Sequence, residues 1–475
     1  MPVMVSSLQD IDNLPFEEGA KKVIRELFEI LLAQQRRIAE LESQVAVGKK
    51  NSRTSSKPPS SDITQPKHKR KKKGRKIGGQ KGHQGVKHEL LSAESVDVVS
   101  EHEVSTCPRC QVELLPERED NVEIRQKHEL VLRPVIVTEY RSYGHRCPCC
   151  DQVHYGKLPD EAQTGSKYGI RFQAMVGFMN GAMGASCSEV SEFCRDVLDT
   201  PISTGTVCNI RGRIAEALDV PYEEVGAAVK EQAVLHIDES GWRENGKRFW
   251  IWVFCTSQLA FFALRSTRSS AVLYEILGQA FPGVIISDFF SAYVKYAPRK
   301  RQLCLAHLIR DILFLTTLTN IQASAFGHNM LGCFRRIFDL WHDRTKIGPE
   351  AFRKEIAKVS KQLQRIIHET ILDERHAVNL QKRLTRKWDS IFLFLEHPDL
   401  LEPTNNHAER TLRHAVMLRK KTQGSRGLVG REFFERFLTV HKTSRLQKRP
   451  LFKFLVDALS ARYFNTQVPT LLGAA

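Results

Sequence analysis

Two groups of residues in this 475-residue chain have the types and spacing to do chemistry. The first is a pair of C-x-x-C knuckles, Cys107-Pro-Arg-Cys110 and Cys147-Pro-Cys149-Cys150. Each can turn tightly around one metal ion through two thiolates, and four thiolates complete a tetrahedral structural zinc site, so Cys107, Cys110, Cys147 and Cys150 are the expected ligands. Cys149 is a spare thiol, and His145 or His154 can substitute for a cysteine. The second group is three carboxylates. Asp238 and Asp288 close the apolar runs AVLHI and GVIIS, and Glu409 stands in the first turn of a helix opened by Pro403-Thr404-Asn405-Asn406. Acids of this kind hold magnesium or manganese, and two such ions can activate one oxygen and stabilise another in a phosphodiester reaction. Each acid also has a plain structural reading. Asp238 can serve a strand-end turn, and Glu409 can complete a capping box with Asn406 or pair with Arg413 one turn on. The set and its topology carry the chemical reading.

Bringing such acids together takes a sheet. The strand AVLHID, ending at Asp238, leads by a hairpin into RFWIWVFCT, then a third strand LAFFALR, a helix SSAVLYEILGQAF, and the strand GVIIS before Asp288. This β-β-β-α-β order continues with a strand QLCLA, a helix HLIRDILFL and a mostly helical stretch over about 316–400. Glu239 adjoins Asp238, but neighbouring strand residues face opposite ways, so the two do not share ions. His307 and His407 lie near the acids in sequence and can touch DNA or orient ligands, with packing or capping as the first reading of each. Gly241-Trp-Arg-Glu-Asn-Gly246-Lys247 mimics a phosphate loop, yet Arg248 stands where a Ser or Thr is required and a strand follows where a helix must open. Glu-Asn-Gly-Lys is better read as a hairpin turn.

The rest of the sequence concerns delivery. Net charge is +17, and between Lys49 and Lys87 fourteen Lys or Arg stand against the single acid Asp62. That Lys-, Ser-, Pro- and Gly-rich stretch lacks the apolar residues to offset its own ordering, and reads as a flexible basic arm. Lys69, Arg70, Lys71, Lys72, Lys73, Arg75 and Lys76 are its expected contacts to a phosphate backbone, with a solvated linker as the alternative. Before the arm, Ile24, Leu27, Leu31, Gln34, Ile38, Leu41 and Val45 form a heptad seam, read as a short self-associating coiled coil or as a helix packed on its own chain. After the knuckles, SEVSEFCRDVLDTPISTGTVCNIRGRIAEAL reads as two helices around an Asp-Thr-Pro break, with Asn209, Arg211 and Arg213 offered to DNA or buried in a helical hairpin. The segment LVLRPVIVTEYRSYGHR between the knuckles reads as β-ribbon. Eleven cysteines with no export signal point to metal ligands and buried thiols, in a cytoplasmic protein. Apolar runs fall short of the roughly 18 residues that cross a bilayer, so no membrane partner is expected.

With these residues in hand, the chain resembles a transposase of the insertion sequence 66 family. NSRTSSKPPSSD resembles the family's N-terminal segment, CPRC and CPCC its zinc-binding region, and HIDES, ISDFFSAY, CLAHLIRD and NNHAERTLR its catalytic blocks. The resemblance implies a ribonuclease H-like catalytic domain with a DDE triad at Asp238, Asp288 and Glu409, using magnesium or manganese, beside a structural zinc. It also implies two-metal cleavage at transposon ends followed by strand transfer into target DNA. A homo-oligomer is expected from the coiled coil, with a nucleoid-associated location, and accessory proteins of the same element are a further candidate partner. The block before the first acid departs from the family in reading Asp-Glu-Ser rather than Asp-Glu-Thr. A zinc-dependent DNA-binding regulator without catalysis, or a DNA nuclease without strand transfer, would share the same sequence features. The expected architecture is multidomain α/β plus α. It comprises a coiled coil at 17–47, the basic arm at 48–95 and a zinc-knuckle domain at 96–160. A helical, helix-turn-helix-like region follows at 161–230, then the catalytic domain at 231–415 with a helical insertion over about 316–400, and a helical C-terminal region at 416–475.

Overall fold

The computed structural model describes residues 11–12, 14–51, 53–55, 90–102, 104–113, 124–131, 134–296 and 300–473. Helix α1 (Glu18–Gly48) spans the heptad seam and buries no residue. Leu27, Leu31, Ile38, Leu41 and Val45 remain exposed along it. Next come the knuckles and one short antiparallel hairpin, β1 (Gly144–Arg146) and β2 (Val153–Tyr155). Among the described residues of LVLRPVIVTEYRSYGHR only Gly144–Arg146 is strand, which corrects the β-ribbon expected there. Val131, Ile136 and Val137 lie exposed, so high strand propensity has no surface against which to pay off.

Four helices follow: α2 (Ile170–Gly181), α3 (Cys187–Asp196), α4 (Thr204–Ala217) and α5 (Asp219–Ala228). A capping box between Ser186 and Glu189 starts α3, and Ser203 caps α4 by accepting from Thr206 N–H at 3.1 Å. The helix–break–helix reading therefore holds at the level of elements.

The central sheet has five strands in the order β5-β4-β3-β6-β7. They are β3 (Val234–Glu244), β4 (Lys247–Cys255), β5 (Ala260–Arg265), β6 (Val284–Ser287) and β7 (Arg301–Leu303), with α6 (Ala271–Leu277) and α7 (Ser291–Tyr296) in the connections. β3, β4 and β5 run antiparallel, while β6 and β7 lie parallel to β3. Glu244 pairs with Lys247 across a two-residue Asn245–Gly246 turn, both at positive φ (49° and 75°), the backbone that Asn-Gly supplies most easily. β3 does not stop at Asp238 as its apolar run implied. Pairing with β4 carries it on to Glu244.

After β7 the chain forms α8 (Leu305–Leu315) and then the insertion helices α9 (Ile321–Ile347), α10 (Pro349–Glu369), α11 (Arg375–Arg386) and α12 (Trp388–Glu396). These share one core with Ile286 and Leu303 of the sheet. The last helices are α13 (Asn406–Thr422), α14 (Gly427–Leu446) and α15 (Leu451–Phe464). They join α2–α5 and the sheet's other face in a second continuous core running from Tyr168 to Leu471. The helical segments on either side of the sheet region are thus packed into one body with it.

α14 also closes the sheet's edge. Thr443, Thr439 and Glu435 accept from the Ala260, Phe262 and Leu264 N–H groups of β5 at 3.1, 3.0 and 2.6 Å. Four residues of helix rise about 6 Å and two residues of strand about 6.7 Å, so side chains four apart can follow alternate amides of an edge strand. The unpaired edge that would invite another chain is covered.

Candidate active site

β3 and β6 are in parallel register with His236 opposite Ile286. Asp238 and Asp288 each lie two residues further on, so they leave adjacent strands at the same level, where strands are about 4.8 Å apart. β6 ends at Ser287, so beyond it β3 is paired only with β4 and both carboxylates stand where the sheet opens. Phe290 N–H donates to Asp288 Oδ1 at 2.9 Å, and Glu239 N–H to Asp238 Oδ1 at 2.9 Å. Burial raises the Asp238 carboxyl well above the usual carboxylate range, and Glu239, Asp288 and Glu409 push it further up. Asp238 therefore sits among carboxylates, with Glu239, Asp288 and Glu409 all adding negative charge to its surroundings.

Glu409 comes from the first turn of α13, and the turn is tied down by Asn405, only 1% exposed. Asn405 Nδ2 donates to Ile237 O at 2.8 Å, its Oδ1 lies 3.2 Å from His236 Nδ1, and its N–H donates to Cys304 Sγ at 3.1 Å. Pro403 O accepts from Leu305 N–H at 2.9 Å. The start of α13 is thereby fixed to the residue before Asp238 and to the start of α8. His407, with Nε2 2.7 Å from Thr256 O and its ring 5.3 Å from that of His236, is the packing residue it was read to be.

The side chain of Glu409 turns toward α8 and makes neither a capping box nor a pair with Arg413. Its Oε1 is 3.8 Å from His307 Nδ1 and its Oε2 is 3.9 Å from Arg310 Nη2. Cys304, His307 and Glu409 place three potential ligand atoms within 4.8 Å of one another, the one such group among the described residues. Burial, then Arg310, lowers the His307 imidazole below its ordinary range, while burial pushes the Cys304 thiol up to about 11.

Glu239 points the other way and is fully engaged. Its side chain is 1% exposed, Arg268 donates to Oε1 from Nε at 2.7 Å with Nη2 at 2.6 Å, and Tyr293 Oη donates to Oε2. Arg268 in turn stacks over the Phe290 and Trp250 rings at 4.0 and 4.8 Å. A carboxylate satisfied in this way is a structural ion pair, in keeping with the alternation of strand side chains.

Residues 165–432 match the transposase IS66 family, and residues 8–89 match a family of unknown function (DUF6444). The chain belongs to the transposase IS66 family. No curated protein matches it. The matched span of this IS66 transposase runs from just before α2 into α14 and contains Asp238, Asp288 and Glu409.

Elsewhere in the transposase, the two knuckles form matching turns. Gln111 N–H donates to Cys107 O and Cys107 N–H to Val112 O, both at 2.9 Å, and Asp151 N–H to Cys147 O at 2.9 Å with Cys147 N–H to Gln152 O at 2.8 Å. Gln111 and Asp151 both adopt positive φ, 60° and 55°. Backbone hydrogen bonds, first from Cys110 and from Cys150, lower the Cys107 and Cys147 thiols below the ordinary range. Cys150 Sγ lies 3.7 Å from His154 Nε2. All eleven cysteines are unpaired thiols. Of the helix offered to DNA, Asn209 is exposed, while Arg211 stacks over the Phe433 and Phe434 rings at 4.8 and 5.4 Å and Arg213 donates to Ser166 Oγ at 3.2 Å. Lys69, Arg70, Lys71, Lys72, Lys73, Arg75 and Lys76 lie outside the described residues. Among the described residues no helix is long and apolar enough to cross a membrane. Asn405 and Arg310 were not singled out in the sequence, and His307 was weighed there as a ligand-orienting or DNA-contacting residue but read first as packing or capping. The i, i+3 spacing of His307 and Arg310 was the one signal available, since it puts both on one helix face.

Proposed function

We propose that this transposase cuts and joins DNA at a DDE centre formed by Asp238, Asp288 and Glu409 on a ribonuclease H-like sheet. The observation that carries the reading is the convergence of three acids from distant segments, two at the same level on adjacent parallel strands and one on a helix stapled beside them by Asn405. The donor set fits a divalent cation: oxygen ligands in excess, an Asp238 carboxyl crowded by its neighbours, and a buried Glu409 Oε1 with no partner. Magnesium or manganese held by these acids supplies Lewis acidity to the attacking and leaving oxygens of a phosphodiester. The chain's part is positional. β3 and β6 fix two carboxylates on rigid backbone, Asn405 sets the third, and Arg268 with Tyr293 withdraws Glu239 from the set. Cleavage at an element end leaves a 3′ hydroxyl, and strand transfer is the attack of that hydroxyl on target DNA.

The basic arm supplies non-specific attraction to DNA, Cys107, Cys110, Cys147 and Cys150 hold a structural zinc, and the exposed seam of α1 pairs with a second copy so that two ends are held together. Incubating the protein with end-sequence DNA and magnesium or manganese tests the reading. Cleaved and joined products are expected from the natural protein, with Asp288→Ala and Glu409→Ala each reduced at least about 10³-fold. Unchanged cleavage in either variant removes that residue from the triad. Cutting without joining identifies a nuclease, and DNA binding without cutting identifies a regulator.

A further inference from the structure

His307 Nδ1 and Glu409 Oε1 are both buried, both without a hydrogen-bond partner, and face each other across 3.8 Å. Buried polar atoms left unpaired cost about 1–3 kcal/mol each, and two of them opposed at a distance too long for a hydrogen bond mark a place where something else sits. Water or a cation can fill such a gap. The surroundings favour a cation, because Asp288 and Asp311 bring further negative charge to His307 and Asp238 brings it to Glu409, while Arg310 opposes it.

Cys304 is the third member of the group, but its Sγ is fully buried and already receives the Asn405 N–H at 3.1 Å. Its part is to hold the α13 start, which leaves one imidazole nitrogen and one carboxylate oxygen as the pair facing the gap. Ligand atoms about 2.1 Å from a shared ion lie about 3.0–3.4 Å apart, so a movement of about half an ångström by either side chain seats the ion. His307 lies on α8 and Glu409 on α13, and Leu305 N–H to Pro403 O ties those two helix starts together at 2.9 Å. The approach is therefore supported from both sides.

We propose that His307 ligates, through Nδ1, the divalent ion held by Glu409, making that side of the centre a mixed nitrogen–oxygen site that favours manganese over magnesium. Imidazole is a ligand for first-row transition ions, whereas magnesium keeps to oxygen and retains its waters. The inference rests on the reading of Glu409 as a metal-holding acid. It changes the expected chemistry of one half of the centre, leaving the half held by Asp238 and Asp288 all-oxygen.

The test is manganese bound to the full-length protein, followed by titration and by pulsed electron paramagnetic resonance. The natural protein should show nitrogen coupling from a directly bound imidazole. His307→Ala should abolish that signal and weaken manganese binding about 10–100-fold, while magnesium binding changes little. His307→Asn guards against misfolding in the Ala variant. Its amide oxygen occupies the Nδ1 position, so manganese and magnesium should then bind alike, with no nitrogen coupling. Absence of nitrogen coupling in the natural protein, or coupling that survives both variants, overturns the assignment and leaves the two side chains as a simple polar pair. Glu409→Ala separates the two readings. If it abolishes cleavage while the natural protein shows no nitrogen coupling, only the His307 assignment falls. If it leaves cleavage intact, the triad itself falls.

Discussion

The sheet end that carries the acids and the segment that carries the knuckles hold their candidate ligands in place by opposite means. Between residues 90 and 160 none of the described residues is buried, and each knuckle is held by two backbone hydrogen bonds and one positive-φ residue. At the acids the ligands ride on strands whose side chains Ile237, Ile285 and Ile286 are 0% exposed, with Asn405 pinning the third element. The fold pays for one site through its core. The other has its two turns without a core around them, and backbone hydrogen bonds lower the Cys107 and Cys147 thiols, so on the proposed reading a metal would supply the missing stability. On the proposed reading, the difference assigns metal separate parts in the two regions, structural in the first and chemical in the second.

Chelation breaks the comparison most forcefully. Structural zinc contributes about 10–16 kcal/mol of apparent binding energy in small thiolate domains. Its removal, or Cys110→Ser, should unfold the knuckle segment outright, read as rapid amide exchange and proteolysis within residues 90–160. The melting temperature of the sheet core should not move. A core that melts with the knuckles would mean that the two regions are one cooperative unit.

The second test acts on the other side. Asn405→Ala removes two side-chain hydrogen bonds and strands Ile237 O and His236 Nδ1 in the interior. A loss of about 2–5 kcal/mol from the core is expected, together with a drop in cleavage of about 10–100-fold because Glu409 is no longer set against Asp238. Thermal melts and cleavage rates check it. Asn405→Asp, which keeps an acceptor but loses the donor to Ile237 O, should fall between the two. Full activity in Asn405→Ala would show that packing alone positions α13.

How much of this was legible beforehand follows the same division. The succession of strands and the Asn245–Gly246 turn could be read because AVLHID, RFWIWVFC and GVIIS are apolar runs bounded by turn residues, and local pattern decides such elements. The end of β3 could not, since it depends on β4 pairing as far as Lys247, a contact between segments. LVLRPVIVTEYRSYGHR misled for the converse reason: β-branched residues signal a strand only where a second surface buries them, and none of the described residues of this segment is buried. His307 was read first as a packing or capping residue, with ligand orientation second, because nothing local reveals that α13, a hundred residues later, turns Glu409 toward it. The role of Asn405 was hidden in the same way, since its partners Ile237, His236 and Cys304 are all remote in sequence.

The smallest expected effect separates the two regions by pH. His441 lies on α14 at 5% exposure, its ring edge-on to His414 at 4.8 Å and its Nδ1 unpaired. Burial, then the neighbouring His414, Lys442 and Arg445, lowers it to about 3. An unfolded histidine titrates near 6.5, so the folded state resists a proton that the unfolded state accepts as pH falls below that value. The stability held in full above about 6.5 is therefore lost on acidification toward 3, and at pH 5 the loss from this residue is on the order of 2 kcal/mol. His414 is lowered in the same direction, chiefly by burial, and adds to the slope. The five tryptophans, at 242, 250, 252, 341 and 388, all lie outside the knuckle segment, so their fluorescence reports the core alone. Denaturant melts between pH 7 and 5 should steepen in pH dependence for the natural protein and flatten in His441→Phe, which keeps an aromatic ring and removes the titration. Equal slopes in the two proteins would place the core's acid sensitivity elsewhere, whereas the knuckles, whose thiolates must stay deprotonated to hold zinc, should lose order in acid whichever residue stands at 441.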